Sequence, residues 1–218
     1  FFIYLCNVIF INKAMLDKNI RNQIVELIQQ QVVPAIGCTE PMAVALCTAR
    51  STELLGCRPE AIEVFLSPNM LKNAMGVGIP GTGMIGLPIA VALGALIGKS
   101  EYKLEVIKDL TPESLEAGKQ FIANSTIDIK LKENNTEKLY IEVVCKAGEK
   151  QATSVITGSH TNFVYEAVDG KPLYDNRTSS SETAEEEEFT LNLRMVYDFA
   201  TTSPIEELEF IRESKHYN

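Results

Sequence analysis

Apolar residues recur at helical spacing in three stretches of the first hundred residues. In residues 17–33, Ile and Leu recur every three or four positions between polar residues, which predicts an amphipathic helix that Pro34 ends. Residues 41–55 and 87–97 are apolar on most sides, which predicts two buried helices. Residues 61–66 alternate weakly between apolar and polar side chains and predict a short strand. This part of the chain is therefore expected to be mainly helical.

The pattern changes near residue 100. Thr111 and Pro112 predict the start of a helix over residues 112–124. Three or four segments of strand type follow, separated by turn-prone residues. These segments span residues 125–131, 138–146, 151–159 and 162–168. The sequence therefore predicts an α+β chain, in which a buried-helix domain carries an inserted subdomain made of a helix and an antiparallel sheet.

We expect the chain to divide into five parts. They are an upstream extension (1–14), a helical part that carries the motifs (15–100), the α+β subdomain (101–175), an acidic linker (176–190) and the truncated start of a further helical part (191–218). In the last part we expect helices over 191–201 and 203–215. The second of these helices should begin with a capping box formed by Ser203 and Glu206.

Residues 1–14 are apolar, but they are too short to span a bilayer. They also lack the basic start and the cleavage site of a signal peptide. We expect Met15 to be the natural first residue, with a short core strand or an interfacial anchor as the alternative for the segment before it.

Charge and cysteine content narrow the class of protein. The net charge of -9 argues against a nucleic-acid partner, because such proteins normally present a basic surface. The five cysteines show no CxxC spacing, so they fit neither a disulfide framework nor a self-contained zinc site. We expect reduced thiols in a cytoplasmic protein with no membrane partner.

The segment Gly37-Cys38-Thr39-Glu40-Pro41 is the strongest candidate for chemistry. Pro41 suits the first position of a helix, and Thr39 or Glu40 can cap the free N–H groups. Cys38 would then lie near the positive end of the helix dipole, which favours the thiolate. The alternative is that Cys38 is a small buried side chain at a helix start.

A glycine-rich loop over residues 76–86 contains a formal GxGxxG match. A dinucleotide site would need a strand directly before the loop, whereas the preceding residues look helical, so that function is excluded. The loop around Gly81 and Thr82 can bind a small anion such as a carboxylate through backbone N–H groups. The alternative is a tight packing turn between buried helices.

Four further polar residues are candidates for a small-molecule site. Asn69, Lys72 and Asn73 lie on a short helical segment just before the glycine loop, where Lys72 could pair a carboxylate or act as a base. His160 lies in a turn between predicted strands and could shuttle protons. The alternatives are a surface lysine, two capping asparagines and an ordinary loop histidine.

Three motifs in this order, GCTEPMAVAL, SPNMLKNAMGVGIPGTGMIG and TGSHTNFVY, resemble the UPF0597 family. That family is similar to the iron–sulfur L-serine dehydratase alpha chain and the L-cysteine desulfidases. The resemblance implies a [4Fe–4S] enzyme that performs α,β-elimination on a small L-amino acid, giving pyruvate and ammonia from L-serine, or these and sulfide from L-cysteine.

The resemblance also implies roles for particular residues. Cys38 would be one cluster ligand, and Lys72 would help to hold the carboxylate and amine of the amino acid. Its chemistry as a possible base also makes Lys72 the catalytic candidate. The substrate-binding candidates are Thr39, Glu40, Asn69, Asn73, Gly81, Thr82, His160 and Asn162.

The resemblance implies a protein about twice as long, whose other ligand cysteines lie in its C-terminal half, so we expect this chain to correspond to an N-terminal half. We therefore expect this chain alone not to hold the cluster. It would need the missing half or a second chain, and it could form a homo-oligomer. The alternatives are a cluster-free protein that binds an amino acid, and an inactive fragment. The sequence leaves open whether the leaving group is a thiol or a hydroxyl.

Overall fold

A computed structural model describes residues 15–177 and 190–214 of the 218-residue chain. The chain divides into two compact units, a larger one over Ala35–Glu182 and a smaller one made of Phe1–Pro34 and Thr183–Asn218. The expected extension at 1–14 and most of the expected linker at 176–190 lie outside the described residues.

The larger unit contains four α-helices, eight strands and one 3₁₀ segment within its described residues. The helices are α2 (Thr39–Leu55), α3 (Pro68–Ala74), α4 (Leu87–Ile97) and α5 (Pro112–Asn124), and the 3₁₀ segment is Ser100–Glu105. The strands are β1 (Ala61–Leu66), β2 (Gly78–Ile79), β3 (Met84–Ile85), β4 (Thr126–Leu131), β5 (Tyr140–Ala147), β6 (Lys150–Thr157), β7 (Phe163–Val168) and β8 (Lys171–Asp175).

Helices α2 and α4 form the centre of the core. Their side chains are almost entirely buried from Pro41 to Ala49 and from Ile89 to Ala95. The two backbones cross at Gly94, where an added Cβ would lie 2.5 Å from the carbonyl oxygen of Ala45. The predicted burial of both helices is confirmed, and the glycine makes the close crossing possible.

Six strands form one mixed sheet in the order β4-β1-β5-β6-β7-β8. β1 pairs in parallel with β4, with Ala61 opposite Thr126, and antiparallel with β5, with Ala61 opposite Lys146. The remaining neighbours are antiparallel. The predicted α+β class is confirmed.

The position of β1 differs from the expected boundary near residue 100. β1 comes from the helical part of the sequence, yet it lies inside the sheet between β4 and β5. Helix α2 packs directly on that sheet, because the Ser51 hydroxyl donates to the carbonyl of Val143 at 3.0 Å and the Cys47 thiol donates to that of Ser154 at 3.3 Å. The motif-bearing helix and the sheet therefore share one core.

Strand β8 at the edge of the sheet was not predicted from the sequence. All five of its residues are exposed, so the strand has no buried face that would require alternating apolar and polar positions. Pro172 within the strand also argues against a strand on sequence grounds, although an edge position tolerates the missing N–H.

The smaller unit contains α1 (Lys18–Gln31), α6 (Leu193–Thr202), the 3₁₀ segment Ile205–Leu208 and α7 (Glu209–Ser214). Arg21 holds this unit together through a bidentate ion pair with Glu207, with N–O distances of 2.9 and 3.0 Å. None of the helices in the described ranges has the length and apolar character needed to cross a membrane.

The capping box predicted at Ser203 is wrong. Pro204 occupies the N-cap of the 3₁₀ segment and makes no side-chain cap bond, whereas Ser203 is the C-cap of α6. The Ser203 hydroxyl is buried and has no hydrogen-bond partner among the described residues. The N–H of Ser203 donates to the carbonyl of Phe199. Ser203 therefore completes the end of α6 instead of capping the next helical segment.

Candidate functional site

The cysteine motif lies at the N-terminus of α2. The helix begins at Thr39, two positions earlier than predicted, and Cys38 occupies the N-cap without capping it by its side chain. The half-buried Cys38 thiol instead donates a hydrogen bond to Glu40 Oε2, with a sulfur–oxygen distance of 2.8 Å. Neither Thr39 nor Glu40 acts as the N-cap. The site is therefore built around a contact between cysteine and glutamate.

The setting of Cys38 favours the thiol. Burial raises the pKa of the Cys38 thiol, and the hydrogen bond to Glu40 together with its negative charge raises it further. The thiolate expected from the helix dipole alone is therefore not the resting form. The same hydrogen bond from Cys38 lowers the pKa of Glu40 against the opposing effect of burial, so Glu40 is anionic at neutral pH.

Thr39 links this pair to the turn between β6 and β7. Its hydroxyl donates to Glu40 Oε2 at 3.3 Å and shares a hydrogen bond of 3.4 Å with Nε2 of His160. Because the Thr39 hydroxyl has one proton and donates it to Glu40, Nε2–H of His160 is the donor in that bond. The structure thus brings together two candidates that are 121 positions apart in the sequence.

Asn162 has a structural role in the same turn. Its side-chain amide donates to the carbonyl of Thr157 at 3.0 Å, and its backbone N–H donates to the carbonyl of Ser159. These bonds fix the turn that carries His160. Asn162 therefore positions the histidine, and its amide contacts no other site residue among those described.

Helix α3 places Asn73 beside Glu40. The Asn73 amide donates to Glu40 Oε1 at 3.3 Å, and its bond also helps to lower the pKa of that carboxyl. Asn69 and Lys72 lie on the same helix and are exposed. Lys72 forms no hydrogen bond or ion pair with any described residue. Its ammonium group is therefore open to a ligand that arrives from solvent.

The glycine loop packs against the cysteine motif through Gly37. This residue has a φ of +75°, and an added Cβ would lie 2.6 Å from Cγ of Pro80. On the other side of the motif, the N–H of Ile36 donates to the carbonyl of Leu104 at 3.1 Å. Neither support was recognised in the sequence, because both are contacts between distant segments and leave no local pattern.

The hydrogen bonds of Thr82 in the glycine loop are made within the loop itself. The buried Thr82 hydroxyl donates to the carbonyl of Ile79 at 2.7 Å and accepts from the N–H of Met84 at 2.9 Å. The Thr82 N–H also donates to Ile79, and a Cβ on Gly81 would touch Leu110. These contacts close the β2–β3 hairpin. The geometry supports the packing turn more than an anion site at Gly81 and Thr82.

The remaining described cysteines do not join Cys38. Cys47 and Cys145 are buried in the core, and burial raises the pKa of Cys145 to about 12. Cys57 is exposed beyond the far end of α2, about 25 Å from Cys38 at the rise of an α-helix. Within residues 15–177 and 190–214, no three His, Cys, Asp or Glu side chains are grouped to hold a metal ion. Among the described residues, Cys38 is therefore not grouped with a second thiol.

The fold and the site define an α+β domain that presents a protonated cysteine, a glutamate and a histidine at the start of a buried helix. No family model and no solved structure matches the chain. The chain does match curated relatives that are UPF0597 proteins.

The relative from Bacteroides thetaiotaomicron is 62% identical over 198 residues, which are 91% of this chain and 46% of the relative. Those from Porphyromonas gingivalis and Photobacterium profundum are 46% and 36% identical over 93% and 92% of the chain. The chain belongs to the UPF0597 family, and it spans about half the length of the curated relatives it matches.

Proposed function

We propose that this chain forms part of a cytoplasmic lyase that performs α,β-elimination on a small L-amino acid. The observation that carries the proposal is the assembly of Cys38, Glu40, Thr39, His160 and Asn73 in one network of contacts. In such a reaction the α-proton moves to a base and the β-substituent leaves Cβ, and the resulting aminoacrylate hydrolyses to pyruvate and ammonia.

Charge at the site suits an amino-acid zwitterion. Glu40 is anionic, so its carboxylate can accept hydrogen bonds from the substrate ammonium group. The exposed Lys72 lies next to Asn73 in α3 and can pair with the substrate carboxylate or, as the catalytic candidate, take the α-proton. His160, whose imidazole lies within hydrogen-bonding distance of the Thr39 hydroxyl, can shuttle a proton at the site.

The family resemblance implies that a [4Fe–4S] cluster supplies an open iron as a Lewis acid for the leaving group. Among the described residues Cys38 is the one thiol placed at the site, so further ligands would come from the other half of the family polypeptide. Because Cys38 would lose its thiol proton on ligation, binding of the cluster should release a proton, and the affinity for the cluster should weaken as pH falls.

The test uses the full-length relative from Bacteroides thetaiotaomicron. After anaerobic reconstitution with iron and sulfide, we expect visible cluster absorbance and pyruvate release from L-cysteine or L-serine. Serine at the position aligned with Cys38 should abolish both signals, whereas serine at the position aligned with Cys57 should leave both unchanged. A reconstituted protein with neither absorbance nor pyruvate release would refute the proposal, and the substrate that yields pyruvate identifies the leaving group.

A second candidate is a cluster-free protein that binds an amino acid. The observation that favours it is that the Cys38 thiol is protonated and donates its proton to Glu40, so it is not in the thiolate form that binds iron. Calorimetric titration of this chain with L-cysteine and L-serine distinguishes the two functions. Under this alternative Cys38→Ala leaves the affinity unchanged and Glu40→Gln weakens it, and no iron is needed.

A further inference from the structure

One side of α6 carries a stripe of exposed apolar residues. Leu193 is 87% exposed and Val196 is 47% exposed, and the exposed Ala200 continues the same stripe at the spacing of a helix face. On the opposite face, Phe199 and Asp198 are buried. The buried Phe199 and the exposed Arg194 follow the usual pattern of a surface helix, whereas the exposed Leu193 and Val196 depart from it.

The buried Asp198 also departs from the usual pattern of a surface helix. Its Oδ2 accepts from Arg194 at 2.7 Å, but its Oδ1 is buried and has no hydrogen-bond partner among the described residues. A buried carboxylate oxygen without a partner is unfavourable, so the orientation of α6 is not explained by the polarity of its inner face. The exposed stripe is therefore a candidate contact surface.

A second apolar surface lies in the same unit, just after α6. Ile205 is 60% exposed and Ile211 is 43% exposed, and with Leu208 and Arg212 they line a depression of about 350 Å³. A depression of this kind can receive an apolar side chain from a partner. We call the α6 stripe and this depression together the apolar surface.

Exposed large apolar side chains are concentrated in the smaller unit. Nine of the fourteen in the described residues lie within 15–34 and 190–214, although these ranges hold fewer than a quarter of those residues. Four of the nine belong to the apolar surface, which is more than the scattered exposure that is normal for a protein.

We propose that the apolar surface is where the other half of the family polypeptide packs. The chain matches the Bacteroides relative over 91% of its own length but covers 46% of the relative, so more than half of the relative has no counterpart in the matched region. A segment of that size can cover two helices. The relatives from Bacteroides thetaiotaomicron, Porphyromonas gingivalis and Photobacterium profundum each contain an unmatched part of about this size. The surface would serve this assembly whether or not the assembled protein is a lyase.

Thiol labelling tests the proposal in the proteins as they exist. Val196→Cys in this chain, and cysteine at the aligned position of the full-length Bacteroides relative, are each treated with a maleimide at low protein concentration. Peptide mapping separates the introduced thiol from the native cysteines. The control is Leu173→Cys on β8 and its aligned counterpart, because Leu173 is 63% exposed but lies in the larger unit.

Labelling of the introduced thiol at 196 should be at least about tenfold slower in the full-length relative than in this chain. The control thiol should react at similar rates in both. Equal rates at position 196 would overturn the proposal.

Two other occupants give distinct results. Protection in the relative that disappears on dilution would assign the surface to a second copy. Slow labelling in this chain, relieved by deletion of residues 1–14, would assign it to the chain's own first segment. Either result overturns the proposal, and circular dichroism of each variant verifies that the substitution leaves the fold intact.

Discussion

Gly37 offers a direct test of how the cysteine motif and the glycine loop are joined. Replacement by alanine places a Cβ 2.6 Å from Cγ and 3.0 Å from Cδ of Pro80. The backbone at Gly37 also has a φ of +75°, which side chains other than glycine adopt only with strain. We predict that Gly37→Ala destabilises the larger unit and displaces the cysteine loop.

Two contributions set the magnitude, and a matched control separates them. Alanine in the left-handed region costs about 1–2 kcal/mol. The Cβ must also retreat by about 1 Å to reach ordinary contact with Pro80, and such overpacking typically costs about 1–3 kcal/mol. Gly56 has a φ of +73° with nothing within 4 Å of its added Cβ, so Gly56→Ala incurs the first cost alone.

The difference between the two variants therefore measures the contact with Pro80. We expect Gly37→Ala to be less stable than Gly56→Ala by about 1–3 kcal/mol in urea unfolding followed by circular dichroism. The Cys38 thiol, which directly follows Gly37, should also be alkylated faster in Gly37→Ala. Adding Pro80→Ala should restore part of the difference, because the clashing ring atoms are removed.

Equal losses of stability in Gly37→Ala and Gly56→Ala would refute this account of the two loops. So would a double variant with Pro80→Ala that recovers nothing, because the extra cost would then arise elsewhere. An unchanged alkylation rate at Cys38 would show that the loop absorbs the clash without moving the thiol.

Three further predictions follow from contacts in the core and the site. Gly94→Ala should destabilise the chain by about 1–3 kcal/mol, although alanine is the better helix former, because its Cβ meets the backbone of α2. In Glu40→Gln the pKa of Cys38 should fall, because a charge and a hydrogen bond that raise it are removed, and the thiolate fraction at pH 8 should rise by up to about tenfold for each unit of that fall. Alkylation of Cys145, whose pKa burial raises to about 12, should occur only as the chain unfolds in urea.

Each of these has a control and a contrary result. Gly118→Ala makes the same change in α5, where the Cβ meets the ends of Ile89 and Leu93 side chains at 3.2 Å, so its effect should be small. A Gly94→Ala variant as stable as Gly118→Ala would contradict the close crossing. The pH profile of alkylation decides the Glu40 prediction, which fails if the profile of Cys38 moves to higher pH. Reaction of Cys145 in native buffer would show that the core opens locally.

Local signals predicted the helices well. The buried helices at 41–55 and 87–97 and the helix at 112–124 were found within two residues of their observed ends, because long apolar runs and the Thr111 cap mark them directly. The order of the strands could not be found in this way. Nothing in residues 61–66 indicates a parallel neighbour at 126–131, since pairing depends on segments far apart in the chain.

The candidate site shows the same division. The motif placed Cys38 next to Glu40, and the structure joins them by a hydrogen bond. His160 is a candidate from its place in a predicted turn and from the family resemblance, but its contact with Thr39 joins positions 121 residues apart and could not be predicted. The direction of the Cys38 pKa was mispredicted, because the helix dipole is visible in the sequence whereas burial and the orientation of the Glu40 carboxylate are not.

The place of β1 in the sheet constrains how the chain folds during synthesis. Ala61 pairs with Lys146, so β1 leaves the ribosome well before its antiparallel neighbour exists. At about 5–20 residues per second, making the intervening segment takes roughly 4 to 17 seconds. Throughout that interval the side of α2 that packs on β5 and β6 has no sheet to cover it. The helix that begins at the cysteine motif is thus made early and buried late, and its apolar side chains need protection from aggregation until the sheet is complete.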